Sequence, residues 1–273
     1  MRRDGGSRDR GRKLRPEPVV AEGTPSSEAS LERLIEDEDL GLEVLHPGGL
    51  ETTAELAALC EIGPESRVLD VASGTGESAC FLAGRFGAPV TGLERSSTMI
   101  RRARAKARDR GRSARFVRGD AHDLPFGAGS FEAAICECTL SLLDQARALP
   151  EMVRVVRSGG HIGFHEICWK EGTPEEMKRR LYELEGEWPR TLREWEKLMA
   201  GCEVTDVHAF DRSSLIPGWM KRSRRELGAR GLLAAGARVI REWGVGGLRR
   251  VLESERIFRS EYLCYGMVVA RKT

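Results

Sequence analysis

The most constraining feature of the sequence is a short apolar run that leads directly into a glycine-rich turn. Residues 68–71 (VLDV) are followed by ASGTG at 72–76 and then by a helix-like segment. Glycines let a backbone approach a ligand closely, and the free N–H groups of a helix N-terminus attract a polar ligand. The run therefore predicts a nucleotide-like ligand at the first βα turn of a doubly wound sheet.

The surrounding region alternates apolar strands with helices, which is typical of right-handed βαβ units and a parallel sheet. Two further strands, near the C-terminus, bring the expected total to seven. We therefore predict an α/β fold with a doubly wound, seven-stranded, mostly parallel sheet. The predicted strands are 67–71, 90–93, 115–118, 131–136, 161–168, 204–210 and 261–270, and the helices of the alternating region are 51–61, 76–86, 97–109 and 145–157.

The C-terminal third departs from simple alternation. Residues 173–176 (TPEE) predict a capping box for a helix that extends to about 187, and 219–258 is helical with a break near 244–247. The last two strands form a hairpin-like pair at a sheet edge, with this helical stretch between them. We expect 1–27 to be a disordered basic tail and 28–273 to be one domain, with 212–258 as a helical lid or insertion.

Composition excludes several classes of protein. The chain has 273 residues with 40% hydrophobic residues, enough for one large domain, and no apolar run approaches the roughly 18–20 residues of a membrane span. The net charge of +2 combines +5 in residues 1–15 with −3 in the remainder. Because the body is slightly acidic, no nucleic-acid partner is expected, whereas the oligomeric state stays open.

The cysteines indicate a reducing compartment. Seven of them are scattered from Cys60 to Cys264, an odd number without a CxxC pair or zinc-binding spacing. We therefore expect a cytoplasmic protein without a disulfide framework and without a metal site.

The identity of the ligand depends on Asp70. Gly74-x-Gly76-x-x-Ala79 satisfies the dinucleotide fingerprint as well. A carboxylate four residues before Gly74 would repel a pyrophosphate and attract a cation. S-adenosylmethionine carries an ammonium and a sulfonium group and no phosphate, so Asp70 favours it.

Two more acidic residues follow the next two strands. Glu94 stands 24 residues after Asp70, where a carboxylate accepts hydrogen bonds from ribose hydroxyls. Asp120 follows the third strand, where it can accept an adenine amino group. Three acids at the ends of three successive strands are a more specific signal than the glycines alone.

With these motifs in place, residues 67–168 resemble a class I S-adenosylmethionine-dependent methyltransferase. Within that superfamily they are most similar to the small-molecule group that contains the ubiquinone/menaquinone C-methyltransferases. The resemblance implies methyl transfer to a small-molecule acceptor, and a quinone or isoprenoid-like acceptor suits it. The segments that carry it are VLDVASGTGESACFLA, VTGLERSSTMIRRARAKA, FVRGDAHDLPFGAGSFEAAI and LPEMVRVVRSGGHIGFHE.

The resemblance also implies a cofactor site. The first turn would surround the methionine part of the cofactor, Glu94 would hold the ribose, Met99 would pack on the adenine, and Cys136 would contact the cofactor through its backbone. Ala72 stands at the usual first glycine of the turn, and Ser158 at a usual proline. The full set is Asp70, Ala72, Gly74, Thr75, Gly76, Glu94, Arg95, Met99, Asp120, Ala121 and Cys136.

The acceptor side is less constrained. Methyl transfer can rely on positioning and desolvation, so a general base is not obligatory. Weak candidates for catalytic residues are His46, Cys138 and His165, with Glu166 as a further acceptor contact. Trp219 and Trp243 either line an acceptor pocket or pack the insertion. The sequence after the fourth strand lacks the Asn/Asp-Pro-Pro-aromatic signature of methyltransferases that act on nucleobases.

Three other functions remain open at this point. If the fourth strand continues to residue 138, the side chains of Cys136 and Cys138 point to the same side of it. They are then candidates for binding a metalloid such as arsenite, which would be methylated. A nicotinamide-dependent oxidoreductase would use the same glycines. A non-catalytic protein would bind the cofactor and transfer nothing.

Overall fold

The structure, a computed structural model, describes residues 46–273, without the side chains of residues 220, 222–224, 226 and 227. The prediction of a tail over 1–27 lies outside the described residues. Seven strands form one sheet, as predicted. The strands are β1 (Val68–Val71), β2 (Val90–Glu94), β3 (Arg115–Arg118), β4 (Phe131–Glu137), β5 (Val156–Trp169), β6 (Val204–Asp211) and β7 (Leu263–Lys272).

Helices connect most of these strands. α1 precedes β1, α2 connects β1 to β2, and α3 connects β2 to β3. α4 connects β4 to β5. α5 and α6 lie between β5 and β6, and one long helical stretch, α7, lies between β6 and β7. The bounds are α1 (Leu50–Leu59), α2 (Glu77–Arg85), α3 (Ser97–Asp109), α4 (Gln145–Val155), α5 (Glu175–Glu185), α6 (Leu192–Ala200) and α7 (Ile216–Phe258).

The strand order is β3-β2-β1-β4-β5-β7-β6. All neighbours from β3 to β5 are parallel, whereas β7 is antiparallel to both β5 and β6. The order reverses between β1 and β4, and ligands of doubly wound sheets bind beyond the carboxyl ends of the strands at such a point. The predicted hairpin-like pair at the edge is confirmed, since β6 and β7 pair around the inserted helical stretch.

The sheet is buried because helices cover both of its faces. Every residue of β1 and β2 is buried, as expected for central parallel strands that helices cover on both faces. One core cluster joins the sheet to α1, α2 and α3, and the other joins it to α4 and α6. Gly163 of β5 illustrates the close packing, because a Cβ there would lie 2.5 Å from Sγ of Cys60 at the end of α1.

A third apolar cluster connects α5 and the end of α7 to the C-terminal half of β5 and to β7. It lies at the same end of the sheet as the carboxyl end of β4, since Cys138 packs against it. Its buried members are Ile167, Trp169, Leu181, Leu184, Ile257, Phe258, Leu263 and Tyr265.

Three local predictions need correction. Thr173 does not cap α5, because its hydroxyl donates to the carbonyl of Lys170 instead, and the capping box is at Thr191 of α6. α7 has non-helical backbone at Gly228 as well as at Gly244. β5 begins five residues early, at Val156, and its register with β4 shifts between the first two pairs.

Among residues 46–273, no helix combines the length and the apolar character that a membrane crossing requires.

Candidate functional site

The turn between β1 and α2 is built from left-handed backbone. Ala72, Gly74 and Gly76 have φ values of 58°, 51° and 75°. The N–H of Gly76 donates to the carbonyl of Ser73 at 2.8 Å, which closes the turn. An alanine in this region costs roughly 1–2 kcal/mol, so the turn carries backbone strain at Ala72.

The two glycines of the turn have different roles. A Cβ on Gly76 would lie 2.5 Å from Cζ of Phe116 and 2.8 Å from Cβ of Ala103, so this glycine allows the turn to pack on β3 and α3. A Cβ on Gly74 would meet no atom within 4 Å. Gly74 is therefore needed for its backbone conformation and leaves open space in front of the turn.

Asp70 is a buried carboxylate at the carboxyl end of β1. It is 2% exposed, and its Oδ2 has no hydrogen-bond partner among the residues that the structure describes. Burial, with smaller contributions from Glu137 and Glu94, raises its pKa well above the usual range. A buried unpaired carboxylate oxygen is unfavourable, and a cationic ligand would compensate it.

Glu94 joins the end of β2 to the turn. Its Oε2 accepts a hydrogen bond from the N–H of Gly74 at 3.1 Å, and its Oε1 accepts one from the N–H of Ser96 at 2.7 Å. Each carboxylate oxygen has capacity for more than one hydrogen bond, so both can still accept a donor from a ligand.

The third acid differs from the first two. Asp120 is exposed, and its Oδ1 accepts a hydrogen bond from the N–H of His122 at 2.9 Å and lies 2.7 Å from Nδ1 of the same residue. This hydrogen bond from the His122 backbone is the main reason that the pKa of Asp120 is lowered. Asp120 thus organises its own turn. Met99 and Ala121 are buried nearby in the chain, 6% and 7% exposed.

Three further predicted residues have identifiable structural surroundings. The hydroxyl of Thr75 accepts a hydrogen bond from Nζ of Lys106 on α3 at 3.2 Å. Arg95 is exposed. The side chain of Cys136 is fully buried in a core cluster, so only its backbone is suited to contact a ligand.

His46, Glu137 and His165 form a buried cluster, referred to below as the His–Glu–His cluster, in which Glu137 ends β4, His165 lies within β5 and His46 precedes α1. Nε2 of His165 lies 2.9 Å from Oε1 of Glu137, and Nε2 of His46 lies 3.5 Å from Oε2 of the same carboxylate. The two imidazole rings are 4.6 Å apart between centroids. The cluster brings together two of the three predicted catalytic candidates.

Glu137 is the centre of this cluster. Burial by itself would raise its pKa, but the facing imidazoles of His46 and His165 and a hydrogen bond from the hydroxyl of Ser78 hold the pKa well below the usual range. Ser78 is in the first turn of α2, directly after the glycine-rich turn. The cluster is therefore connected to the same turn as Asp70.

His165 is held from its other side as well. Its Nδ1 lies 2.6 Å from the hydroxyl of Tyr265 on β7 and 3.7 Å from Sγ of Cys138. Burial raises the pKa of the Cys138 thiol well above its usual range, so the thiol is neutral. Cys138, the third predicted catalytic candidate, is thus next to the cluster.

The expectation that Cys136 and Cys138 point to the same side of one strand is wrong. β4 ends at Glu137, and Cys138 has left-handed backbone with φ 49°. Cys136 packs in the cluster that includes α4 and α6, whereas Cys138 packs against the third apolar cluster. The two thiols do not form a pair on one strand face.

Glu166 supports the loop after β4. Its Oε1 accepts hydrogen bonds from the N–H groups of Thr139 and Leu140, each at 2.6 Å. Burial raises its pKa to about 7 despite these hydrogen bonds. Glu166 therefore fixes the chain beside Cys138.

The two tryptophans of α7 have different surroundings. Trp219 packs against the third apolar cluster, near Tyr265. Trp243 packs over Gly247 of its own helix. Of the two, Trp219 is the one that packs against the cluster to which Tyr265 belongs.

Sequence reasoning missed Glu137 and Tyr265. Glu137 stands between Cys136 and Cys138 in the sequence. The pairing of β4 with β5, in register Glu137↔His165, is what places it beside His165. Tyr265 is 100 residues from its partner His165, and nothing in the local sequence marks it.

Comparisons with known proteins agree with the fold and the turn. A family model described as a methyltransferase domain matches residues 68–160. An uncharacterized methyltransferase of Bacillus subtilis is 26% identical over 163 residues, which are 57% of this chain and 70% of the relative. The demethylmenaquinone methyltransferase of Thermotoga maritima is 32% identical over 159 residues, 56% of this chain and 62% of the relative.

A solved structure of similar fold is that of geranyl diphosphate methyltransferase in complex with S-adenosylmethionine. It has a TM-score of 0.65 and 20% identity, and the match covers 82% of this chain and 85% of that one. Together with the seven-stranded sheet and the matched domain, these similarities support S-adenosylmethionine as the cofactor. Residues 68–160 match a methyltransferase domain, and the fold is that of the class I S-adenosylmethionine-dependent methyltransferases.

Proposed function

We propose that this protein transfers the methyl group of S-adenosylmethionine to a small, largely apolar acceptor of the quinone or isoprenoid-like class. The observation that supports S-adenosylmethionine as the methyl donor is the buried Asp70 at the end of β1. Its Oδ2 has no hydrogen-bond partner among the described residues. The methionine ammonium is the cation that this oxygen lacks.

The proposed cofactor site follows the turn and the next two strand ends. Gly74 lets the turn approach the cofactor, since no protein atom occupies the space where its Cβ would be. Glu94 accepts hydrogen bonds from the ribose hydroxyls while it holds the N–H of Gly74. Met99 and Ala121 supply buried apolar contacts for the adenine, and Asp120 and the backbone of Cys136 complete the site.

The proposed acceptor site lies between the His–Glu–His cluster and the third apolar cluster. Cys138 and Tyr265 connect the two clusters, because both contact His165 and both pack with the residues of the third apolar cluster. Trp219 extends the apolar side. An acceptor with a polar end and an apolar body fits such a site, and the relatives named for demethylmenaquinone and geranyl diphosphate support this class.

The chemistry requires little beyond positioning. A nucleophilic atom of the acceptor attacks the methyl carbon in line with the departing sulfur, the carbon–sulfur bond breaks, and its electron pair stays on the sulfur of S-adenosylhomocysteine. The chain's own residues hold both reactants in this alignment and exclude water. His46 and His165 contact the polar end of the acceptor.

Two of the alternative functions lose support from the geometry. A dinucleotide pyrophosphate in front of Gly74 would face the carboxylates of Asp70 and Glu94. Arsenite methylation through Cys136 and Cys138 would need the two thiols on one side, where they are not. A protein that binds the cofactor without transfer is distinguished by experiment.

The test is calorimetric titration of the protein with S-adenosylhomocysteine, run beside NAD. We expect binding of S-adenosylhomocysteine alone. Asp70→Ala and Glu94→Ala should each weaken it at least 10-fold, because each removes a hydrogen bond to a charged carboxylate worth about 1.5–3 kcal/mol. Asp109→Ala, at an exposed position on α3, is the matched control.

Acceptor screening follows with quinones and isoprenoid alcohols or diphosphates, and the methylated product is detected by mass spectrometry. Tight binding of NAD without S-adenosylhomocysteine binding contradicts the proposal. Cofactor binding without any methylated product from these acceptors or from extracts indicates the non-catalytic alternative.

A further inference from the structure

We propose that the His–Glu–His cluster binds one divalent transition-metal ion, with Zn²⁺ as the best match, and that this ion holds the nucleophilic oxygen or thiol of the methyl acceptor. Within residues 46–273, His46, Glu137 and His165 form a set whose ligand atoms all lie within 4.8 Å of one another. No metal site was expected from the sequence, because the cysteines have no zinc-binding spacing.

The distances suit coordination by a single ion. Metal–nitrogen and metal–oxygen bonds of about 2.0–2.2 Å in a tetrahedral site place the ligand atoms roughly 3.3 Å apart. Nε2 of His165 and Nε2 of His46 lie 2.9 Å and 3.5 Å from the two oxygens of Glu137. Small side-chain adjustments around an ion would therefore complete the site.

The orientation of both imidazoles supports the same conclusion. Nδ1 of His165 lies 2.6 Å from the hydroxyl of Tyr265, and Nδ1 of His46 lies 3.4 Å from the carbonyl of Pro47. When an ion replaces the proton between Nε2 and Glu137, the proton that stays on Nδ1 of each ring has an oxygen to receive it. Metal-binding histidines characteristically make such a contact through the nitrogen that does not bind the ion.

The carboxylate is held in a comparable way. The hydroxyl of Ser78 donates to Oε2 of Glu137, which fixes the carboxylate between the two rings. The side chains of Glu137 and His46 are each 7% exposed, and that of His165 is fully buried. A cluster with this degree of burial and preorganisation is more than two surface histidines that happen to be near an acid.

The donor set selects the class of metal. Two imidazole nitrogens and one carboxylate oxygen suit Zn²⁺, Fe²⁺ or Co²⁺ and suit Mg²⁺ or Ca²⁺ poorly, because those ions prefer oxygen ligands. Two histidines and one glutamate with an open position are a ligand set of catalytic zinc sites. The open position is where the acceptor would bind.

The ion would activate the acceptor for the proposed transfer. Coordination lowers the pKa of a hydroxyl or thiol, whose proton leaves to solvent. The coordinated oxygen or sulfur then donates a lone pair to the methyl carbon, and the carbon–sulfur bond of the cofactor breaks with its electrons on sulfur. This role depends on the proposed function, whereas metal binding itself does not.

The position of the cluster is compatible with this role. β1 and β4 are neighbours in register Val71↔Cys136, so Glu137, the last residue of β4, lies beside the start of the glycine-rich turn. Ser78 links the same carboxylate to α2, the helix that the turn begins. Cofactor and ion would therefore meet at one edge of the sheet.

The test measures metal binding by the full chain, purified without a metal-binding tag and treated with a chelator. Zn²⁺ and Co²⁺ are added back, bound metal is measured by mass spectrometry, and the Co²⁺ protein is examined for visible d–d absorption. The variants are Glu137→Gln, which keeps the shape of the side chain, and His46→Ala, at the entrance to α1. His161→Ala, at a half-buried histidine earlier on β5, is the matched control.

We expect one ion per chain in the wild type and in His161→Ala, and at least about 100-fold weaker binding in the two ligand variants. Tyr265→Phe, which removes only the partner of His165, should weaken binding about 10–100-fold. Circular dichroism establishes that each variant is folded.

Less than stoichiometric metal in the wild type, or equal binding in all variants, overturns the inference and leaves the cluster as a hydrogen-bonded group. Calorimetry with S-adenosylhomocysteine on the metal-free protein separates the two proposals. If the metal binds but S-adenosylhomocysteine does not, the proposed function fails and the metal site stands.

Discussion

Oε2 of Glu94 accepts a hydrogen bond from the backbone N–H of Gly74 at 3.1 Å, so one buried carboxylate ties the end of β2 to the turn after β1. Glu94 also accepts the N–H of Ser96, at the start of α3. Two strand ends and a helix start are thereby fixed relative to one another before a ligand arrives. Such preorganisation lowers the entropic cost of binding.

The two glycines of this turn should respond differently to alanine. Gly76→Ala places a Cβ 2.5 Å from Phe116 in left-handed backbone, so we expect the free energy of unfolding to fall by at least about 2 kcal/mol. Gly74→Ala meets no atom and should cost about 1–2 kcal/mol, but its Cβ occupies the open space in front of the turn. Chemical denaturation and calorimetry with S-adenosylhomocysteine measure both effects. The distinction is wrong if Gly74→Ala leaves cofactor affinity unchanged.

Asp70→Asn should change stability and binding in opposite directions. The pKa of Asp70 is raised by burial and by Glu137 and Glu94, so its ionised form destabilises the free protein at neutral pH. The amide removes this charge, and we expect a higher Tm for the free protein together with at least 10-fold weaker binding of S-adenosylhomocysteine. Thermal scans with and without ligand provide the measurement. A lower Tm with unchanged affinity contradicts the assigned role.

Glu166 should make stability depend on pH near neutrality. Its pKa is about 7 in the folded protein, above its ordinary value of 4.5. Between these two values the folded state holds a proton that the unfolded state has lost, so the contribution is fully present below pH 4.5 and is lost as the pH rises through about 7. The shift corresponds to about 3 kcal/mol.

The matched variant for this prediction is Glu166→Gln, which can still accept the N–H groups of Thr139 and Leu140. We expect its stability relative to the wild type to rise between pH 5 and about pH 7.5 and to be constant above that. Urea denaturation at a series of pH values checks this. Parallel pH profiles for the two proteins exclude Glu166 as the titrating group.

Ala72→Gly should stabilise the protein. Alanine at φ 58° carries a strain of about 1–2 kcal/mol, which glycine relieves. Glycine also raises the conformational entropy of the unfolded chain, and this lowers the stability by about 0.4–1 kcal/mol. The expected net gain is about 0.5–1 kcal/mol. The control is Ala79→Gly in α2, a fully buried helical position where the same substitution should destabilise by about 1 kcal/mol or more. Equal losses in both variants would argue against strain at Ala72.

The sequence by itself determined the sheet, the glycine-rich turn and the two acids at the ends of β1 and β2. β1, β2 and their flanking helices are set by local patterns, because short strand-like segments that alternate with amphipathic helices have few other solutions. Asp70 and Glu94 follow from the same logic, since the carboxyl ends of parallel strands meet at one edge. The glycines were visible, although their separate roles at 74 and 76 were not.

Only the tertiary structure decided which residues surround the proposed acceptor site. His46 precedes α1, Glu137 ends β4, His165 lies on β5 and Tyr265 lies on β7, and none of them is adjacent in the chain to another. Their contacts arise from the parallel pairing of β4 with β5 and the antiparallel return of β7 after the long helical insertion. Local propensity has no information about such pairings, because a contact across 100 residues depends on the strand order of the whole sheet.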